Sequence, residues 1–356
     1  MTNFIFHSTL FILLLLSQQS YAQYPTRFVS NLTYPLSARY VSMGGDGLAV
    51  NDGLSFPFDR LKLEEEKSIE SSFSVRPPNW NSIEGFSFWQ AKILGNMSSM
   101  NAYGVNLYSN FAGRQIGLGE NSPTFIGNTQ EYQMFLSAFY RLEVLSRLSM
   151  AVTGKYYSAS NNFITVVFGS STSGRQDGSA LMADFSAMYE IPVNGEEQSI
   201  FFGSSISNLG TDVVYANDLT YKLPRSFIVE AAYLLRSPSS TVSRIEFICD
   251  YRNVVNSKNA DNHIFWRSGA EISLYNALFL RTGMYIAPYS TIFGLKGKPV
   301  FSYGAGISFS GEKIRIPKSR FTVDLGLLPI DRENFQQHQI TGVGTNYAIS
   351  LTFTTY

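Results

Sequence analysis

The stretch Phe321-Thr322-Val323-Asp324-Leu325-Gly326-Leu327 alternates apolar and polar residues without a break. Successive side chains of a β-strand point to opposite faces, so Phe, Val and Leu share one face and Thr, Asp and Gly share the other. A carboxylate such as that of Asp324 does not suit a hydrophobic core. The stretch therefore predicts a strand that separates an apolar environment from a polar one.

The same alternation recurs from about Ser68 to Tyr356. Further apolar faces, each opposite polar or charged residues, are Leu181/Ala183/Phe185/Tyr189, Phe227/Val229/Ala231/Tyr233, Ile245/Phe247/Cys249/Tyr251, Trp266/Ala270/Ile272/Leu274, Leu278/Leu280/Met284/Ile286 and Tyr347/Ile349/Leu351/Phe353. Counted in this way, the chain contains about fourteen such segments, each close to the ~10 residues that a tilted transmembrane strand needs.

Short and long connections follow one another in strict order between these segments. The short ones are 142–146, 192–198, 236–242, 275–277 and 311–319, and the long ones are 112–129, 158–179, 208–225, 253–264, 287–300 and 329–345. A transmembrane barrel has this order because short periplasmic turns alternate with long extracellular loops. Alternation and loop order together predict an all-β fold, a transmembrane antiparallel β-barrel of about 14 strands.

The first residues predict export. Leu10-Phe11-Ile12-Leu13-Leu14-Leu15-Leu16 is an apolar run too short to span a bilayer, and Ser20-Tyr21-Ala22 offers small residues before a cleavage site. We expect residues 1–22 to be a signal peptide that is removed after Ala22. Residues 23–67 then form an N-terminal periplasmic or plug segment, and residues 68–356 form a barrel in the outer membrane, with outer-membrane lipid around it.

Charge and composition exclude several other classes of protein. Lys+Arg and Asp+Glu both number 27, so the net charge is zero and no basic surface for nucleic acid is expected. The single cysteine, Cys249, cannot form an internal disulfide. The sequence contains no cluster with metal-ligand spacing, and we expect neither a metal nor another cofactor.

The alternation also assigns most charges of the predicted strands to the interior of the barrel. These residues are Lys155, Asp184, Glu230, Arg244, Glu246, Asp250, Arg252, Arg267, Glu271, Arg281 and Asp324. A Lys or Arg on the lipid face would cost about 2–4 kcal/mol near the bilayer midplane, so the barrel requires this placement. Two interpretations stay open: an ion-pair network that fills the lumen, or a charged conduit or ligand site.

Several short motifs occur in one order along the chain: Ser37-Ala38-Arg39-Tyr40-Val41-Ser42-Met43-Gly44-Gly45-Asp46-Gly47-Leu48-Ala49, Ile206-Ser207-Asn208-Leu209-Gly210, Leu223-Pro224-Arg225-Ser226-Phe227, Arg267-Ser268-Gly269-Ala270-Glu271, Leu280-Arg281-Thr282-Gly283-Met284-Tyr285 and Tyr303-Gly304-Ala305-Gly306-Ile307. Together they resemble the FadL-type outer-membrane barrels and, within them, the PorV/PorQ branch of the Bacteroidetes type IX secretion system. The resemblance implies a fourteen-stranded barrel whose N-terminal segment plugs the lumen.

The resemblance also implies two candidate functions. The first is a non-catalytic barrel of the type IX secretion system, which binds secretion-system proteins or the sorting domains of cargo at the cell surface. Candidate partner-binding loop residues are Phe125, Ile126, Val213, Val214, Tyr215, Ile292, Phe293 and Phe335. The alternative is a FadL-like channel for hydrophobic small molecules, with an apolar pocket near the rim and a lateral opening at a kinked strand such as Gly304 to Gly306.

An enzymatic function has little support in the sequence. After the predicted signal peptide only His263 and His338 remain, both in predicted loops, and no nucleophile motif of the G-x-S-x-G type is present. A Ser-His-acid arrangement would need Asp331, His338 and a serine to meet at the barrel mouth. We therefore predict a protein without catalytic residues.

Overall fold

The computed structural model describes residues 37–44, 69–76, 86–98, 101–112, 117–118, 124–167, 170–195, 197–215, 220–221, 225–237, 241–255, 264–286, 299–314, 316–328 and 346–355. One short helix, α1, covers Ala38–Ser42, and a 3-10 turn covers Gly311–Ile314. Within this part of the chain, no helix is long and apolar enough to cross a membrane.

Seventeen strand segments follow α1 in the described chain. They are β1 Ile69–Arg76, β2 Phe86–Ser98, β3 Asn101–Ala112, β4 Gly117–Leu118, β5 Thr124–Leu145, β6 Leu148–Val167, β7 Ser170–Asn194, β8 Gln198–Gly210, β9 Val213–Tyr215, β10 Thr220–Tyr221, β11 Arg225–Arg236, β12 Val242–Val255, β13 Ile264–Leu274, β14 Leu278–Ile286, β15 Pro299–Ser310, β16 Ser319–Leu328 and β17 Asn346–Thr355.

The sheet closes on itself into a barrel of fourteen antiparallel strands. Each long strand pairs with its neighbours in the chain, β11 follows β8 in the wall, and β1 pairs with both β2 and β17. The remaining segments β4, β9 and β10 are only two or three residues long. Among the described strands, closure leaves no unpaired edge at membrane depth, where water is not available to an unpaired backbone group. The predicted fold and strand number are confirmed.

The two faces of the wall differ as the alternation predicts. Along β16 and β17, Val323, Leu325 and Leu351 are exposed on the outer face, whereas Asp324 and Ser350 are buried on the inner face. Large apolar side chains are exposed in the same way on most long strands, from Phe73 to Phe301. An outer surface of this kind is suited to lipid, and the polar residues are kept inside.

The long connections differ from the prediction. Residues 158–179 were expected to be a loop, but β6 continues to Val167 and β7 begins at Ser170. The predicted loops 112–129 and 208–225 likewise contain β4 with the start of β5, and β9 with β10. Outside the membrane neither face of a strand needs to be apolar, so pairing continues there without the alternation that marks a transmembrane strand.

Helix α1 lies against the inner face of the wall. Its residues are buried, and it packs on β14, β15, β16 and β17. The other residues of the predicted plug, 23–36 and 45–67, lie outside the described residues, as does the predicted signal peptide. The plug as a whole stays a prediction, whereas residues 37–44 are inside the barrel.

A charge placed on the outer face should destabilise the barrel strongly. Leu351, halfway along β17, is 51% exposed on that face. We expect Leu351→Arg to lower the free energy of unfolding by about 2–4 kcal/mol in lipid, because the guanidinium would enter hydrocarbon. Urea titration of the protein refolded into vesicles measures this change.

The matched control is Val193→Arg, since Val193 is exposed at the end of β7, beside the turn to β8. Near the interface the expected loss is about 0–1 kcal/mol. Equal losses for the two variants would contradict the assignment of the outer face to lipid.

Candidate functional site

A row of glycines on the inner wall makes room for the N-terminal segment. Gly269 and Gly283 face each other across β13 and β14, and Gly304 and Gly326 face each other across β15 and β16. A Cβ atom on Gly283 would lie 2.0 Å from the backbone N of Gly44, and one on Gly326 would lie 2.2 Å from the backbone O of Ala38. Residues 38–44 therefore contact the wall more closely than any other residue type would permit.

Hydroxyl groups of the wall bind the two ends of this segment. The Ala38 N–H donates to Ser350 Oγ at 2.8 Å. At the other end the Ser302 hydroxyl donates to the Ser42 carbonyl at 3.0 Å and accepts from the Gly44 N–H at 2.8 Å. Gly44 has φ +77°, a left-handed conformation that favours glycine and ends the helix. Backbone groups that a short helix leaves unpaired are thus satisfied by the barrel.

Arg39 joins the segment to an ionic network on the wall. Its Nη2 lies 2.7 Å from Glu246 Oε2, and its Nε lies 2.9 Å from Glu271 Oε2. Arg244 contacts the same two carboxylates, and Arg281 bridges Glu271 to Asp324, whose Oδ1 lies 2.7 Å from Arg281 Nη1. Three guanidinium groups thus neutralise three carboxylates, with all except Arg244 almost fully buried.

A second group of charges lies further along the inner wall. Arg267 pairs with Asp250, and its Nη2 lies 3.7 Å from Glu230 Oε2. Lys155 pairs with Asp184, and Asn208 links to both residues at an irregularity in β8, where φ is 59°. The register of β7 and β8 shifts at this point. Gly304 to Gly306 pair with β14 and β16 without a register shift, so β15 has no bulge there.

The structure places all eleven predicted charges on the inner face of the barrel. Ten are buried, and Arg244 is partly exposed, with 21% of its side chain accessible. The sequence interpretation missed Arg39, because its predicted set of five cations and six carboxylates was drawn from strand residues alone. The structure also buries Glu70, Arg141 and Glu190, which that set left out, so the count alone could not identify Arg39 as the missing cation. A functional role for the set stays a prediction.

The opposite part of the inner wall carries a row of three aromatic residues. Tyr108 on β3, Phe135 on β5 and Tyr157 on β6 are direct cross-strand partners, and each is at most 5% exposed. Their ring centroids are 5.5 Å and 4.6 Å apart along the row. Sequence reasoning missed this aromatic row because it assigned apolar residues to lipid. Tyr157 is two residues from Lys155 on β6, so the two side chains share a face. Because Lys155 was predicted to face inward, this spacing could have placed Tyr157 inside.

A polar cavity of about 20 Å³ lies between α1 and the closing strands β1, β2, β16 and β17. Its lining includes Arg39, Gln90, Lys92, Asp324 and Ser350. The Nε2 atom of Gln90 has no hydrogen-bond partner within the described part of the chain. A space of this size holds one or two water molecules, which polar groups of this kind can bind.

The predicted partner-binding loops are only partly loops. Phe125 and Ile126 belong to β5 and pair with Leu118 and Gly117, so their assignment to a loop is wrong. Val213 is also wrong as an exposed anchor, because β9 buries it to 1% exposure, whereas its neighbour Val214 is 54% exposed. Tyr215 ends β9. Ile292, Phe293, Phe335, Asp331 and His338 lie outside the described residues.

An apolar outer face and a polar, occupied interior define a transmembrane barrel of the outer-membrane type. The sequence matches no protein-family model and no curated protein. One similar solved structure is an S2/S3 deletion mutant of the monoaromatic hydrocarbon channel TodX, with a TM-score of 0.51 and 10% identity over 90% of this chain and 98% of that one. The toluene transporter TodX of Pseudomonas putida has a TM-score of 0.47 and 9% identity over 95% of this chain and 99% of that one. The translocator domain of the autotransporter NalP from Neisseria meningitidis has a TM-score of 0.44 and 10% identity over 86% of this chain and 92% of that one. At these identities the likeness shows the shared fold.

Removal of one charge from the Arg39 network should destabilise the barrel. Glu271 contacts Arg39, Arg244 and Arg281. We expect Glu271→Gln to lower the free energy of unfolding by about 3–5 kcal/mol, because buried guanidinium groups lose a partner. Asp177→Asn is the control, since Asp177 pairs with Arg175 on the exposed part of β7 and its loss should change stability little. Similar urea midpoints for the two variants would contradict this role.

A methyl group in the glycine row should displace residues 38–44. We expect Gly283→Ala to lower the free energy of unfolding by about 1–3 kcal/mol, because the added Cβ overlaps the backbone of Gly44. Gly154→Ala is the matched control, since no atom lies within 4 Å of a Cβ at that outward position. Equal thermal stability of the two variants would show that residues 38–44 can bind the wall without the glycine row.

Proposed function

We propose that this chain is an outer-membrane barrel that transports hydrophobic small molecules. Its N-terminal segment, residues 38–44, is bound to the inner wall and closes the barrel to ions. The observation that carries the proposal is the divided inner wall. One part is the aromatic row of Tyr108, Phe135 and Tyr157, and the other is the ionic network that binds Arg39. The rings are at most 5% exposed, so an apolar molecule would contact them once the residues that cover them move aside, and paired charges hold the closing segment in place.

The arrangement does not suit a wide aqueous pore. Porin-like channels keep a water-filled lumen lined by free polar groups. Here Arg39, Arg281 and Arg267 each pair with carboxylates, and all three are at least 94% buried. Ions would have to break these pairs to pass at the level of α1. The structural neighbour named a monoaromatic hydrocarbon channel supports the choice of an apolar cargo.

The second candidate is the secretion-system role, a barrel of the PorV/PorQ type that binds partner proteins or cargo at the cell surface. Strands β5, β6 and β7 favour it, because they contain 22, 20 and 25 residues. A membrane crossing needs about 10, so these strands extend well beyond the bilayer and raise one side of the wall. The motif resemblance also supports this role, which would use the raised wall as its binding surface.

Uptake into vesicles tests the first proposal. Protein reconstituted in vesicles should accelerate entry of toluene, but not of a small sugar. Phe135→Gln should slow toluene entry about fivefold, since loss of about 1 kcal/mol of apolar contact corresponds to that factor. Phe185→Gln is the control, because Phe185 is 52% exposed on the outer face. Toluene entry that is no faster with the wild-type protein than into protein-free vesicles would contradict the proposal.

Affinity capture from outer membranes separates the second candidate from the first. Recovery of secretion-system proteins with the tagged chain, together with lost export of cargo in a deletion strain, would favour the secretion role. Toluene entry without such partners would favour transport.

A further inference from the structure

We propose that Glu246 and Glu271 form a guanidinium-binding site, which Arg39 occupies in the folded chain and which binds a small guanidinium compound when that side chain is removed. The site belongs to the barrel wall, since both glutamates lie on membrane strands, β12 and β13. It is independent of which substance the barrel transports.

The two glutamates are direct cross-strand partners on the inner face. Like charges at directly opposed positions repel each other and destabilise a sheet. Both side chains are nearly fully buried, at 3% and 1% exposure, so water cannot weaken this repulsion. The strand register therefore favours cations at this pair: Arg244 contacts both carboxylates, and Arg39 adds a second guanidinium group.

The shape of the site selects a guanidinium group. Arg39 meets the two carboxylates along two of its edges, with Nε 2.9 Å from Glu271 Oε2 and Nη2 2.7 Å from Glu246 Oε2. The same Nη2 also lies 3.5 Å from Glu271 Oε1. A planar fork of N–H donors fits such a pair of carboxylates, whereas an ammonium group presents a single point of charge.

The charge balance of the network around Arg39 also favours binding of a cation. With Arg39 present, Arg39, Arg244 and Arg281 neutralise Glu246, Glu271 and Asp324. Without Arg39, two cations remain for three carboxylates. The Arg39 network thus loses one of its three positive charges, and an added cation replaces that charge.

The cavity beside Arg39 gives such a ligand space. Arg39 lines that polar cavity of about 20 Å³, together with Ser37, Tyr40 and Gln90. Gln90 is 3% exposed, and its Nε2 has no hydrogen-bond partner among the residues that the structure describes. Removal of the Arg39 side chain would join its own volume to this cavity and leave a polar space next to both carboxylates.

Chemical rescue tests the inference. The full chain carrying Arg39→Ala is unfolded in urea and refolded into detergent micelles with either guanidinium chloride or sodium chloride at about 10 mM. If the dissociation constant is on the order of 1 mM, guanidinium should raise the folding equilibrium constant about tenfold. Heat-dependent gel mobility reports the folded fraction. Arg175→Ala, which removes an exposed arginine of β7, should not respond to guanidinium.

Two further variants keep the inference falsifiable. Arg39→Lys should refold partly and should not respond, because its ammonium group occupies the site. The double variant Arg39→Ala with Glu246→Gln removes the excess carboxylate, so it should refold better than Arg39→Ala alone and lose the guanidinium response. An equal effect of sodium and guanidinium on Arg39→Ala would overturn the proposal. If Arg39→Ala does not refold at all, the double variant decides the matter. Failure of the double variant to refold would then overturn the proposal as well.

Discussion

Buried charges are stable in this barrel only as long as each has a partner of opposite sign. Taking an ion out of water costs several kcal/mol even after relaxation, and close pairing offsets that cost. The strand parity that exposes Val323 and Leu325 to lipid places Asp324 inside, where Arg281 meets it. Arg281 also contacts Glu271, and Glu271 contacts Arg39. Through this chain of contacts, the demand of the bilayer on one face fixes the position of the N-terminal segment on the other.

Side-chain alternation predicted the barrel because the bilayer imposes it directly. A residue two positions from Asp324 must share its face, so one charged residue fixes the orientation of a whole strand. The same reasoning failed within the predicted loop 158–179, where residues 158–167 and 170–179 form the paired ends of β6 and β7. Beyond the membrane both faces meet water, and a Ser- and Gly-rich strand there has no pattern that separates it from a loop.

The contents of the lumen were only half predictable. Membrane strands reveal their inward charges, but Arg39 lies in a segment without periodicity, and its partners are 207 and 232 residues away. The aromatic row was hidden for a different reason. Tyr108, Phe135 and Tyr157 are apolar enough to suit lipid, so composition alone could not place them inside, and only their register with charged neighbours does so.

The glycine row restricts how this protein can change during evolution. At Gly283, Gly326 and Gly269 the nearest atoms of the segment are backbone atoms of Gly44, Ala38 and Met43. A larger wall residue is usually accommodated when a facing side chain becomes smaller, but a backbone atom cannot be trimmed by substitution. A single substitution in residues 38–44 therefore cannot compensate for a larger residue at these three wall positions. A lineage that loses one of these glycines must reshape or discard the whole inner segment, and the wall and the segment are inherited as one unit.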